Sequence, residues 1–193
     1  ACPADALKRA RFSGGPKWVT KGLAYYPREV RREVPLEEAV RAGLAETCHR
    51  MTRIPGVVPW LSVQGMQHLG RRIPKWPAWY GERRAQEWLA GVVRLQEEIG
   101  TGGAGFRYLF AAFLQEASTL PGLAAVGPFS EQVTAIGDRW RTFALEASRQ
   151  ARCKKSIGWD ALGAMVYELG EAEYALFQDL DRARTQKLLA GPS

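Results

Sequence analysis

Six residues, Gly100 to Gly105, spell GTGGAG and fit the G-x-G-x-x-G pattern that cradles a dinucleotide pyrophosphate. Such a cradle needs a strand before the glycines and a helix after them. The following run, FRYLFAAFLQEAS, is amphipathic and supplies the helix. The preceding run, EWLAGVVRLQEEI, has a helical period too, so no parallel sheet can be assembled around the loop. No Gly-Lys-Ser/Thr follows, which argues against a P-loop. The glycines are expected instead to reverse the chain between two helices, with Gly100 as a left-handed cap and Thr101 offering its hydroxyl to the next helix. A helix N-terminus still attracts anions, and Arg107 adds a positive charge there.

Other chemistry is sparse. Cys48 and His49 are adjacent, but neighbours on a helix point about 100° apart and do not face each other. Cys48 falls on an apolar stripe and is expected in the core. His68 is likewise expected to be structural. The three cysteines include no C-x-x-C pair, so neither a disulfide framework nor a zinc site is expected. No cofactor is implied. Glu37–Glu38 and Glu97–Glu98 read as solvated surface. Glu116 flanks the aromatic stripe after the glycine loop. Asp138 and Arg139 lie beside Trp140, where they would form a buried ion pair or line a pocket.

The elements that hold these residues are helices. After Pro35, a residue tolerated in a first turn, apolar residues recur at helical spacing to residue 53. Leu61, Gly65, Met66 and Leu69 mark a short helix. RIPKWPAW then breaks the chain twice with proline. Trp88, Leu89, Val92, Leu95 and Ile99 mark the buried side of a helix over 82–99. Phe106, Leu109, Phe110, Phe113, Leu114 and Ala117 form a wide stripe on the next. Phe129, Val133, Ile136, Trp140, Phe143 and Ala147 follow the alternation of a bundle helix. A last helix from near Gly158 carries Leu162, Met165, Val166, Leu169, Leu176 and Leu180. The expected fold is mainly α: an irregular helical bundle over 35–193, preceded by an extended linker or docking segment over 1–34. Within that segment, KWVT (17–20) and LAYY (23–26) are the candidate strands.

The 193 residues suit one domain with a real core, and 46% hydrophobic against 24% charged is a globular balance. No run reaches the roughly 18 apolar residues of a membrane span. The N-terminus has no apolar signal core, so a cytoplasmic protein is expected. The net charge of +7 favours acidic partners. Trp76, Trp79 and Trp88 near basic residues would suit base stacking, but no nucleic-acid motif is present, and core or interface roles are expected instead.

GTGGAGFRYLFAAFLQEA followed by GDRWRTFA resembles the C-terminal helical domain of the butirosin-biosynthesis BtrH-like acyltransferase family. The most specific residues are Gly102-Gly103, Phe106-Arg107-Tyr108, Phe113-Leu114 and Glu116-Ala117. ADALKRARFSGGPKWVT looks like the link from that family's catalytic domain, and MVYELGEAEYALFQDL fits its closing helix. The resemblance implies acyl transfer from a carrier-protein thioester to an amine in natural-product assembly. It places the nucleophilic Cys and its His in a papain-like N-terminal domain to which no residue here corresponds, so no catalytic residue carries over. The implied partners are that catalytic domain or subunit and an acidic acyl carrier protein. Arg107, Tyr108, Glu116, Asp138 and Trp140 are the expected substrate- or partner-facing residues, with Arg107 on an anionic group and the acids on an amine. Two alternatives stand: an enzyme complete in itself, working on a natural-product thioester or amide, and a non-catalytic basic binding module.

Overall fold

The computed structural model describes residues 3–12, 33–53, 61–99, 102–152 and 157–186. Contacts divide the chain into two units, Ala1–Val34 and Pro35–Ser193. In the first unit the longer described segment is a helix, α1 (Ala4–Phe12), where an extended linker was expected; Glu33 and Val34 are neither helix nor strand. The run ALKRAR consists of strong helix formers, which accounts for the difference. Asp5 in the first turn complements the helix dipole, and the Pro3 carbonyl accepts the N–H groups of Ala6 and Leu7 at 3.0 and 3.1 Å. The candidate strands at 17–20 and 23–26 lie outside the described residues.

The second unit is an all-helical bundle, with no strand among its described residues. Its first helix, α2 (Leu36–Thr52), starts directly after Pro35, with Glu37 and Glu38 in the first turn and His49 and Arg50 in the last. Both charge biases favour the helix dipole. Then come α3 (Ser62–Arg72), a 3-10 turn at Ile73–Lys75, and α4 (Trp76–Tyr80). Pro74 and Pro77 do not break the chain into coil. Each sits in the first turn of its helix, where the missing N–H would have no partner anyway. The chain stays helical while changing direction, and Gly81 (φ 77°) ends the run.

The remaining helices are α5 (Glu82–Glu97), α6 (Arg107–Ser118), α7 (Phe129–Arg152) and α8 (Trp159–Gln186). α8 packs against α2, α3 and α7, and α7 in turn carries α5 and α6. The bundle spacing of α7 is realised: Phe129, Val133, Ile136, Trp140, Phe143 and Ala147 are all buried. Leu162, Val166, Leu169, Leu176 and Leu180 form the matching stripe of α8, with Met165 half-buried beside them.

Two glycines let α3 and α8 touch through their backbones. A Cβ on Gly70 would stand 2.6 Å from the Tyr167 nitrogen, and one on Gly163 would stand 2.6 Å from the Gly70 oxygen and 2.7 Å from Pro74 Cδ. No side chain fits between the helices there.

α5 departs from expectation. Of the five residues assigned to its buried side, only Leu89 is enclosed, together with Ala85. Trp88, Leu95 and Ile99 are 57%, 61% and 50% exposed, and Val92 is half-buried. Phe106 and Leu109 are exposed as well, whereas Ala111, Leu114 and Ala117 are buried. Phe110 stacks on Phe113 and meets Phe177 of α8 at 5.8 Å. The apolar residues of α5 thus form one broad sector, of which α7 covers the side of Leu89 and Val93.

Candidate functional site

The glycine loop is a left-handed turn at the start of α6. Gly102, Gly103, Ala104, Gly105 and Phe106 have φ of 67°, 91°, 48°, 56° and 70° in succession. Glycine adopts this region freely, whereas Ala104 and Phe106 are held there against their preference. Phe106 is the N-cap of α6 and makes no side-chain cap bond. The caps expected from Gly100 and Thr101 lie outside the described residues. The turn joins α5 to α6, and the sheet that a dinucleotide cradle requires is absent from the described residues.

Arg107 holds this turn in place. Its Nη1 donates to the carbonyls of Ala104 (3.0 Å) and Gly105 (3.1 Å) and to Gln96 Oε1 (3.3 Å). Its Nε and Nη2 reach Glu173 Oε1 at 2.9 and 2.7 Å. Trp140 Nε1 donates to the same oxygen at 2.7 Å, and the guanidinium lies 4.8 Å from the Trp140 ring centroid. The Arg107 and Glu173 side chains are only 13% and 4% exposed. A buried pair this well bonded is a positional lock: removing one partner leaves an uncompensated charge. The anionic group that Arg107 holds here is therefore the chain's own carboxylate.

Glu173 was absent from the sequence-derived candidates, yet a signal existed. It stands in register with Leu169, Leu176 and Leu180, an acid at a core position of an apolar stripe. Acids are almost never fully buried unless paired, so that position calls for a cation.

Tyr108 points to a second, more open cluster. Its hydroxyl donates to Asp138 Oδ1 at 2.8 Å. The Arg141 guanidinium lies 5.6 Å from its ring centroid and its Nε 3.6 Å from Glu97 Oε2. Glu97 Oε1 accepts the Ala104 N–H at 3.2 Å. Burial, then the Asp138 carboxylate, push the Tyr108 phenol above its ordinary pKa. Tyr108 is thus a hydrogen-bond donor at neutral pH. Its ring fits because Gly137 has no side chain: a Cβ there would stand 3.0 Å from Tyr108 Cε1.

Of the five candidate residues, Arg107 and Trp140 meet at Glu173, and Tyr108 meets Asp138. Glu116 joins neither cluster. It is exposed in the last turn of α6, about 14 Å along the axis from Arg107, and its carbonyl accepts the Thr119 hydroxyl at 2.7 Å. Asp138 and Arg139 do not form a buried pair. They face different ways on α7, and Arg139 meets Glu168 at the surface, 3.8 Å apart.

Cys48 is fully buried, and its thiol is pushed up to about 11, by burial first and the Asp181 carboxylate second, with Arg184 partly offsetting both. His49 beside it is exposed. A thiol so protonated and enclosed is a poor nucleophile. Among the described residues no His, Cys, Asp or Glu group is arranged to hold a metal ion, and no helix is long and apolar enough to cross a membrane.

The exposed face of α5 borders a groove of about 480 Å³. Leu69 and Trp76 form one wall; Trp88, Gly91, Val92 and Leu95 form the other. Tyr80 stacks on Trp88 with centroids 6.2 Å apart, and Trp79 meets Tyr80 edge-on at 6.1 Å. The Arg72 guanidinium lies 5.2 Å from the Trp79 ring centroid. Contiguous exposed aromatic surface of this kind marks an interaction site more often than chance exposure does.

A family model described as "Domain of unknown function (DUF4872)" matches residues 5–180. That description states no reaction. No curated protein and no solved structure matches the chain.

Proposed function

The chain belongs to the DUF4872 domain family, and we propose that it acts as the docking and site-completing helical part of a BtrH-like acyltransferase. In this reading a papain-like cysteine domain outside these 193 residues takes an acyl group from a carrier-protein thioester. It delivers that group to an amine in natural-product assembly. The helical part contributes a binding face rather than the nucleophile.

The observation that carries this reading is the exposed aromatic groove on α5, an apolar surface with no occupant among the described elements of the second unit. The resemblance in the stretch Gly102 to Ala117 supplies the acyltransferase assignment. The enclosed thiol of Cys48 argues against that residue as the nucleophile. Arg107 and Trp140 serve as the frame, while Tyr108 and Asp138 present a hydroxyl and a carboxylate towards the amine or the partner domain.

Charge supports the second partner. Residues 1–34 hold eight lysines and arginines against three acids, which is +5 of the chain's +7. Such a segment would steer an acidic carrier protein by long-range attraction, with rates that fall as salt rises. The same charge would suit nucleic acid, and a steep salt slope for DNA or RNA without carrier binding would favour that reading.

The test is amide formation followed by mass spectrometry, using an acylated carrier protein, an amine and a papain-like catalytic domain supplied separately. Turnover is expected to need both proteins and to survive Cys48→Ala. Turnover by this chain alone, abolished by Cys48→Ala, would establish the complete-enzyme alternative instead.

A further inference from the structure

Four residues of α5 and its end, Trp88, Val92, Leu95 and Ile99, are spaced four, three and four apart. That is the a/d spacing of a helix seam, which pairs with another helix. The apolar residues beside the seam, Ala85 and Leu89, are already buried. α7 packs on that side of α5; on the seam side Tyr80 of α4 stacks on Trp88, while Leu95 and Ile99 stay exposed.

The seam spans about 17 Å, three helical turns. It is not flat: Leu69 and Trp76 stand across from it, so the groove has two walls. A two-walled apolar groove receives an amphipathic helix through anchors at i, i+3 or i+4, and i+7.

The rim decides the charge of that helix. Arg84 lies one turn before Trp88 on the same face of α5, Lys75 adjoins Trp76, and Arg72 sits over Trp79; all three are exposed. The acid bordering the groove, Glu87, is answered by Arg83 at 3.2 Å. A second copy of this chain would bring the same cations against each other in a two-fold pairing. An acidic partner meets opposite charge instead.

We propose that the α5 groove binds an amphipathic α-helix of a companion protein, with apolar residues at a and d and acidic residues flanking them. The inference rests on the docking reading and gives that face its occupant. Trp88 is the central anchor, because large, partly enclosed aromatics carry most of the energy at such interfaces. Tyr80 stacks on it, and Trp79 in turn meets Tyr80 edge-on.

The test uses the full chain and two fluorescently labelled synthetic helices of about five turns. One has leucine at a and d with glutamate at e and g; its twin has lysine in place of glutamate. Fluorescence anisotropy is expected to show saturable binding of the glutamate helix, weakened by salt, and at least about tenfold weaker binding of the lysine helix. Trp88→Ser and Leu95→Ser should each weaken the glutamate helix by about tenfold or more. Both residues are over half exposed, so the variants should keep wild-type circular dichroism and melting. Equal binding of the two helices, absence of binding, or indifference to both substitutions would overturn the proposal. So would a dimer in light scattering that Trp88→Ser dissolves, because the occupant would then be a second copy. Failure here with acyl transfer intact would remove the helix partner and leave the functional reading standing; the reverse outcome would separate them the other way.

Discussion

Removing the Glu173 carboxylate should leave Arg107 buried without its counter-charge and Trp140 without its acceptor. Breaking a buried ion pair from one side costs about 3–5 kcal/mol. The low end applies here, because Gln96 and the carbonyls of Ala104 and Gly105 still accept from the guanidinium. The orphaned indole N–H adds about 1 kcal/mol. Glu173→Ala is therefore expected to destabilise the fold by about 4 kcal/mol, a large share of ordinary domain stability. At this chain length that corresponds to roughly 8–16 °C in melting temperature. Glu173→Gln keeps an oxygen for Trp140 and should cost about 2–3 kcal/mol.

The decisive variant is the pair Arg107→Met with Glu173→Leu. Replacing both charges by apolar groups removes the unmatched charge, so the double variant should be more stable than Glu173→Ala despite losing more polar contacts. Urea unfolding followed by circular dichroism measures these proteins together with the single variants Arg107→Met and Glu173→Leu. Glu173→Ala within about 1 kcal/mol of wild type, or a double variant whose loss is the sum of its single substitutions, would refute the assignment of this cluster as a buried lock.

Three further outcomes are expected. Gly70→Ala and Gly163→Ala must each push α3 from α8, because their Cβ atoms would meet backbone at 2.6 Å; losses of about 2 kcal/mol or more in urea unfolding are expected, and neutral substitutions would contradict the close crossing. In a Cys2→Ser, Cys153→Ser background, Cys48 should resist Ellman's reagent at pH 8 and react fully in guanidinium; because its thiol pKa is raised from 9.0 to about 11, the stability tied to its proton is whole below pH 9 and is lost as pH climbs towards 11, a fall that Cys48→Ala should lack. Asp138→Asn should lower the Tyr108 pKa, read as the absorbance titration that Tyr108→Phe removes, since the carboxylate is one cause of its rise.

Much of this architecture was legible in residue spacing. The stripes of α7 and α8 survive intact because each is the single apolar face of a helix at the centre of the bundle. α5 misled because periodicity reports which face is apolar, not whether another element covers it. Trp88, Leu95 and Ile99 have the same pattern in the sequence whether they meet a core or a partner. The prolines at 74 and 77 misled for a different reason: their cost depends on position within a turn, and both fall where the N–H is already unpaired. The turn at Gly102–Gly105 was readable as a reversal, and Arg107 as a charge placed at its end. Its partner was not, because Glu173 lies 66 residues away and only the three-dimensional packing of α8 brings it there. The close crossing at Gly70 and Gly163 was hidden likewise, since a helical glycine looks the same whether it is tolerated or required.

The proposed docking on a papain-like catalytic partner runs through the exposed face of α5. It is tested most directly by replacing Trp88 with the photoreactive p-benzoylphenylalanine and, as a control, Leu145, which is 69% exposed on α7. Each protein is irradiated with a papain-like catalytic domain of the BtrH-like family, and cross-linked peptides are mapped by mass spectrometry. Cross-links from position 88 to the catalytic domain, and none from position 145, are the expected result. A complex cross-linked from position 145 and not from 88, or no complex at all, would contradict the account.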